Sequence, residues 1–169
     1  MLKRYVSSIL FILFFACGCT PAKVEGEIIP TVSEEETDVS QQDTIAQEIM
    51  YELGCEDEMT RVRTRMMNGI LMDGDSEIIK AGVLYFSNDE YCADAVGVFD
   101  TDHLEECVSN LQSYLKDTKQ NVEYYSPDEA FKVSNAVCVD DGEGRIIMII
   151  HKDIASSSRI AQAQLKKSQ

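Results

Sequence analysis

Residues 78–116 constrain the fold most: two apolar strands and then a long amphipathic helix. Residues 78–86 (IIKAGVLYF) are rich in β-branched and aromatic side chains, as strands are. The polar cluster Ser87, Asn88, Asp89 and Glu90 marks a turn. A second strand is expected over 93–99, which makes an antiparallel hairpin with a loop of about four to five residues. Asp102, with Glu105 three positions on, predicts a capped helix start. Leu104, Val108, Leu111 and Leu115 then fall at helical spacing, with Cys107 beside them, so one face packs on the sheet.

The remainder of the folded part repeats this plan. Ser126, Pro127 and Glu129 predict the start of a short helix running to about Val133. A third strand is expected over 136–139, then a turn at Asp140, Asp141 and Gly142, then a fourth strand over 145–152. Residues 146–150 (IIMII) are apolar on both faces, as a central strand covered on both sides requires. Asp153 caps a last helix carrying Ile154, Ile160, Ala161 and Leu165, with Lys166 and Lys167 at its C-terminal end. Before the first strand, Ile45, Ala46, Ile49, Met50 and Leu53 form a short helical face closed by Gly54. Residues 56–73 are ambiguous: Met59, Val62, Met66, Ile70 and Leu71 have roughly helical spacing, with Arg61, Arg63 and Arg65 between them. Those arginines either receive an anion or pair with surface acids, and pairing is the ordinary case. The expected fold is α+β: a four-stranded antiparallel sheet with helices on one or both faces, in the order α-(α)-ββα-ββα.

The first eighteen residues read as a targeting segment. Lys3 and Arg4 precede an apolar core of about ten residues, within signal-peptide range and short of the roughly 20 needed to span a bilayer. The sequence Ala16-Cys17-Gly18-Cys19 resembles the cleavage box of bacterial lipoproteins, in which a cysteine becomes the lipidated N-terminus. Cys19 fits that role best, with Cys17 as the alternative. Stable anchoring needs more than one acyl chain, which the diacyl or triacyl cysteine of such lipoproteins supplies. The resemblance implies a protein lipid-anchored to the cell membrane and facing the extracytoplasmic side. Residues 19–42, with Pro21, Gly26, Pro30 and the run Glu34-Glu35-Glu36, read as a flexible acidic tether. A single folded domain is expected over 43–169.

The net charge of −15 repels nucleic acid and anionic headgroups, leaving a well-solvated exported surface or one that meets a cationic partner. Beyond the signal segment the cysteines are Cys55, Cys92, Cys107 and Cys138. An extracytoplasmic setting permits disulfides among them, with three full pairings open. There is no CxxC. Cys107 and Cys138 fit small core positions.

No cofactor or metal signature is present. His103 and His151 lack spaced partners, and residues 73–84 lack the glycine and the bidentate glutamate of a calcium loop. Phosphate-loop, dinucleotide and nucleophile-elbow fingerprints are missing.

The segments CADAVGVFDTDHLEECVSNLQSYL, YYSPDEAFKVSNAVCV and GRIIMIIHKD resemble a bacterial family known only as domain of unknown function 4358, common among lipoproteins of Gram-positive anaerobes. In that family an acidic residue often precedes the second strand's apolar run, where Asp94 stands. The resemblance implies place and fold, and no chemistry. The expected function is therefore a membrane-anchored module that binds an envelope protein, an envelope component or a small ligand. The alternative is an enzyme whose dispersed site gathers near His103, His151 and neighbouring acids. A purely structural lipoprotein is the third reading.

Overall fold

The strand IIMII dictates the layering. In β5 (Arg145–Ile150), Ile146, Met148 and Ile150 belong to one core and Ile147 and Ile149 to another, on opposite sides of the sheet. Side chains alternate along a strand, so an apolar run of this kind is stable only when both faces are covered. The structure, a computed structural model, describes residues 36–62, 64–72 and 78–167.

Among these residues the chain is an α+β fold of one five-stranded antiparallel sheet and five helices. β2 (Ala81–Ser87) and β3 (Ala95–Asp100) form the first hairpin, and β4 (Val137–Asp140) and β5 the second. β3 and β5 pair at the centre, with Ala95 opposite Ile150 and Asp100 opposite Arg145. One face is covered by α2 (Thr64–Leu71), α3 (Leu104–Glu123) and α4 (Pro127–Ser134), through Met67, Leu71, Cys107, Leu111, Ala130 and Val133. The other is covered by α1 (Glu36–Leu53) and α5 (Ile154–Lys167), through Ile45, Ile49, Met50, Ile160 and Leu165. No helix among the described residues is long and apolar enough to cross a membrane.

Four expectations need correction. The sheet has five strands rather than four. β1 (Met59–Arg61) pairs with the outer edge of β2, Met59 opposite Ser87. It is three residues long, and its ladder comes from the open edge it covers rather than from any apolar alternation. Secondly, the stripe expected over 59–71 is out of phase. Leu71 is buried as expected, and Val62 packs against the core, but Met66 and Ile70 are exposed, and Met67 and Met72 are buried in their place. Thirdly, the first helix starts at Glu36, within the segment read as tether, and brings Gln42 into a buried position against Asp100. Fourthly, Asp102 does not cap α3. His103 occupies the cap position without a side-chain bond, and Thr101 fixes the junction instead. Its hydroxyl donates to the Ile78 carbonyl (2.7 Å) and accepts the His103 N–H (2.9 Å).

Other local signals hold. Gly54, at φ +69°, ends α1, and the Cys55 N–H reaches back to the Met50 carbonyl (3.0 Å). Asp153 accepts the Ser156 N–H (3.0 Å) at the start of α5. Arg61 pairs with Asp43 (3.3 Å). The hairpin–aspartate–helix repeat holds for the order of elements and fails for the layers. A two-fold exchanging β2–β3 with β4–β5 would run perpendicular to the sheet and keep both following helices on one face. Instead α3 and α5 lie on opposite faces.

The segment read as a signal, Cys17, Cys19, most of the acidic stretch, Arg63 and residues 73–77 lie outside the described residues.

Candidate functional site

The β2–β3 connection is longer than its turn residues suggest, because residues 88–94 all lie between the strands. Asp89 folds its first half by accepting the Tyr91 N–H (2.9 Å). Its second half carries Cys92, Ala93 and Asp94 toward α4. The Ala93 N–H is taken by Glu129 Oε2 (2.7 Å). Lys132, one turn along the same helix, donates to Asp94 Oδ1 (2.6 Å) and Glu129 Oε2 (2.7 Å), with Cys92 Sγ 3.5 Å away. These three charged side chains are only 13–15 % exposed.

The electrostatics are well defined. Burial alone would lower the pKa of Lys132, but the hydrogen bonds to Asp94 and Glu129 outweigh it and raise the pKa, so the amine stays an ammonium. One cation faces two carboxylates, and the cluster stays formally negative. Cys92, Asp94 and Glu129 each offer a ligand atom within 4.8 Å of the others, the one such group among the described residues. The Lys132 ammonium sits among them, so the arrangement is built for an internal ammonium where a metal would otherwise lie.

Beside the cluster opens a cleft of about 220 Å³, lined by Phe86, Tyr91, Cys92, Asp94, Tyr114 and Tyr125. Tyr91 and Tyr125 are 68 % and 58 % exposed. Tyr114 reaches in from α3, its phenol pKa raised by burial. The α3–α4 elbow places Tyr125: the Ser126 N–H bonds back to the Val122 carbonyl (2.8 Å), turning the chain in a few residues. The cleft therefore offers broad aromatic faces at its mouth and a fixed set of charges at one end.

Sequence reasoning found part of this. The family resemblance points to Asp94, whereas from the sequence Cys92 suggests only a disulfide. The Ser126–Glu129 signal correctly starts α4, yet no side-chain cap forms and Glu129 turns to Lys132 and Ala93 instead. Lys132 carried no signal beyond its i, i+3 spacing from Glu129.

The histidines do not converge. His103 follows Asp100, at the end of β3 that pairs with Arg145, whereas His151 follows Ile150, which pairs with Ala95 at the strand's other end. At about 3.4 Å per residue the length of β3 separates them. His151 is buried, its Nδ1 accepting the Asp153 N–H (3.1 Å). The nearby acids are engaged: Asp100 with Arg145, Asp102 with Lys80, and Asp153 in the α5 cap.

Cys55, Cys92, Cys107 and Cys138 are all free thiols. Cys55 and Cys107 lie in cores on opposite sides of the sheet, which prevents their pairing. Burial pushes Cys55, Cys107 and Cys138 up to about 11, leaving them protonated at neutral pH.

No family model, no curated protein and no solved structure matches this chain.

Proposed function

We propose that this protein is a lipid-anchored, extracytoplasmic binding module, and that its tyrosine-lined cleft holds a polyhydroxylated component of the cell envelope, a glycan segment. The cleft carries this reading. Tyrosine rings offer flat apolar faces with a polar rim, which suit the C–H face of a sugar ring. The carboxylate and phenol groups at the edge suit its hydroxyls. An apolar pocket with a few fixed polar groups is the usual form of a small-ligand site. The negative surface opposes anionic ligands, which favours a neutral glycan. The lipoprotein-like box at Cys19 and the resemblance to the domain of unknown function 4358 family support the anchored, envelope-facing setting.

The chain has no tryptophan and seven tyrosines, of which Tyr91, Tyr114 and Tyr125 line the cleft, so tyrosine emission includes a signal from it that the cleft variants identify. Titration of the full-length chain in detergent with chitooligosaccharides and maltooligosaccharides should change that emission saturably. Tyr91→Ala and Tyr125→Ala should each weaken binding about tenfold, since a hot-spot aromatic contributes roughly 1–2 kcal/mol or more. A flat titration with both sugars at millimolar concentration would refute the glycan reading. The anchor is tested separately: labelled palmitate should enter the wild-type chain and not Cys19→Ala, while Cys17→Ala should label normally.

A further inference from the structure

The charges of the tyrosine-lined cleft are one-sided. Its wall holds two acids, Glu90 and Asp94, and no lysine, arginine or histidine. The Lys132 ammonium lies outside that wall, turned to Asp94 Oδ1 and Glu129 Oε2. Only one oxygen of Asp94 is taken: among the described residues its Oδ2 has no bond and is not sealed from solvent. Glu90 is exposed and forms no ion pair among the described residues. Both acids therefore keep acceptor capacity that a ligand in the cleft can reach.

The large side chains of the wall point to the same ligand charge by a separate mechanism. Phe86, Tyr91, Tyr114 and Tyr125 surround the cleft. The face of an aromatic ring is electrostatically negative and attracts an ammonium group, more strongly where water is partly excluded. An ammonium also brings three donors, whereas an N-acetyl group brings one N–H and no charge. The volume of about 220 Å³ is below the roughly 300–1,000 Å³ of a pocket that encloses a whole drug-sized ligand. The cleft thus takes a single unit and leaves the rest of a chain outside.

We propose that the unit held in the cleft is a hexosamine with a free amine, its ammonium donating to Asp94 Oδ2 and Glu90 beside the aromatic rings. This rests on the glycan reading and refines it: the chain is neutral elsewhere and cationic at the unit the cleft holds.

Isothermal titration of the full-length chain in detergent, at about pH 6 where an amine of α-amino type is charged, tests this. The glucosamine disaccharide should bind about tenfold tighter than the N-acetylglucosamine disaccharide. Asp94→Asn, which keeps an acceptor for Lys132, should remove most of that preference. Glu90→Gln, a change at an exposed residue with no ion pair to lose, should reduce it several-fold and keeps the test valid if Asp94→Asn fails to fold. Tyr91→Ala should weaken both disaccharides, and Glu143→Gln, in a turn outside the cleft, should leave the preference unchanged. Binding of both disaccharides with equal affinity would overturn the free-amine inference and leave the glycan reading standing. Absence of binding by either disaccharide and by maltooligosaccharides at millimolar concentration would overturn both. An equal loss of preference in Glu143→Gln and Glu90→Gln would overturn the inference by showing diffuse attraction to the acidic surface. Choline binding as tightly as the glucosamine disaccharide would overturn it too, since the cleft would then read a cation without the sugar.

Discussion

The two ends of β3 each hold a partly buried carboxylate–cation pair, and they are built in opposite ways. At the C-terminal end, Asp100 and Arg145 face each other across the β3–β5 ladder, so the register itself brings them together. At the N-terminal end, Asp94 meets Lys132 from a helix 38 residues away, with Glu129 as second acid. Asp100 has a further donor in Gln42, whereas the second anion at Lys132 has only the Ala93 N–H besides the ammonium. The first pair is an element of sheet pairing with a spare donor. The second is a tertiary clasp that joins the β2–β3 connection to α4, and its two acids depend on one cation.

The sharpest way to break this comparison is to remove each cation in turn. Lys132→Met strands two carboxylates in a site mostly closed to water, and should cost about 3 kcal/mol of stability in urea unfolding. The triple change Asp94→Asn, Glu129→Gln, Lys132→Met should recover most of that loss, because the uncompensated charge goes with it. Arg145→Ala should cost less, about 2 kcal/mol, since Gln42 still serves Asp100. If Arg145→Ala proves the more damaging, the contrast between the two ends is wrong.

A smaller effect should appear with pH. The folded-state pKa of Lys132 is raised. Its contribution is therefore fully present below the unfolded lysine value, about 10.4, and is lost as pH rises from there through the folded value. Wild-type stability minus Lys132→Met stability should be flat from pH 7 to about 10 and shrink above that. A difference that grows with alkalinity would contradict the clasp. The smallest effects should come from labelling and from the cleft's rim. Among the four cysteines of the described residues, iodoacetamide at pH 8 should modify Cys92 first, with Cys55, Cys107 and Cys138 protected by burial and raised pKa. Mass mapping after partial reaction reads this directly. Tyr91→Ala should shift stability by no more than about 0.5 kcal/mol, as an exposed substitution does, while weakening sugar binding about tenfold.

Much of the fold was legible. The two hairpins, the long helix, the Ser126-Pro127 start of α4 and the Asp153 cap of α5 all follow from local spacing and capping chemistry. The candidate site was much less legible. Glu129 fits a capping box equally well as a clasp, and only the approach of Ala93 and Lys132 decides between them. Gln42 read as tether because nothing within its own segment shows Asp100 waiting 58 residues on.

What the sequence determined by itself is whatever repeats every two or about four residues: that IIMII is a strand with two dry faces, and that residues 104–115 are a helix with one. A side chain's alternation is set by backbone geometry within a few residues, so it survives without knowledge of neighbours. The tertiary structure decided which helix covers which face, where β1 finds an edge, that His103 and His151 stand at opposite ends of the sheet, and where Glu129 and Gln42 point. Each of these depends on groups far apart in the chain, whose meeting is set by packing of whole layers.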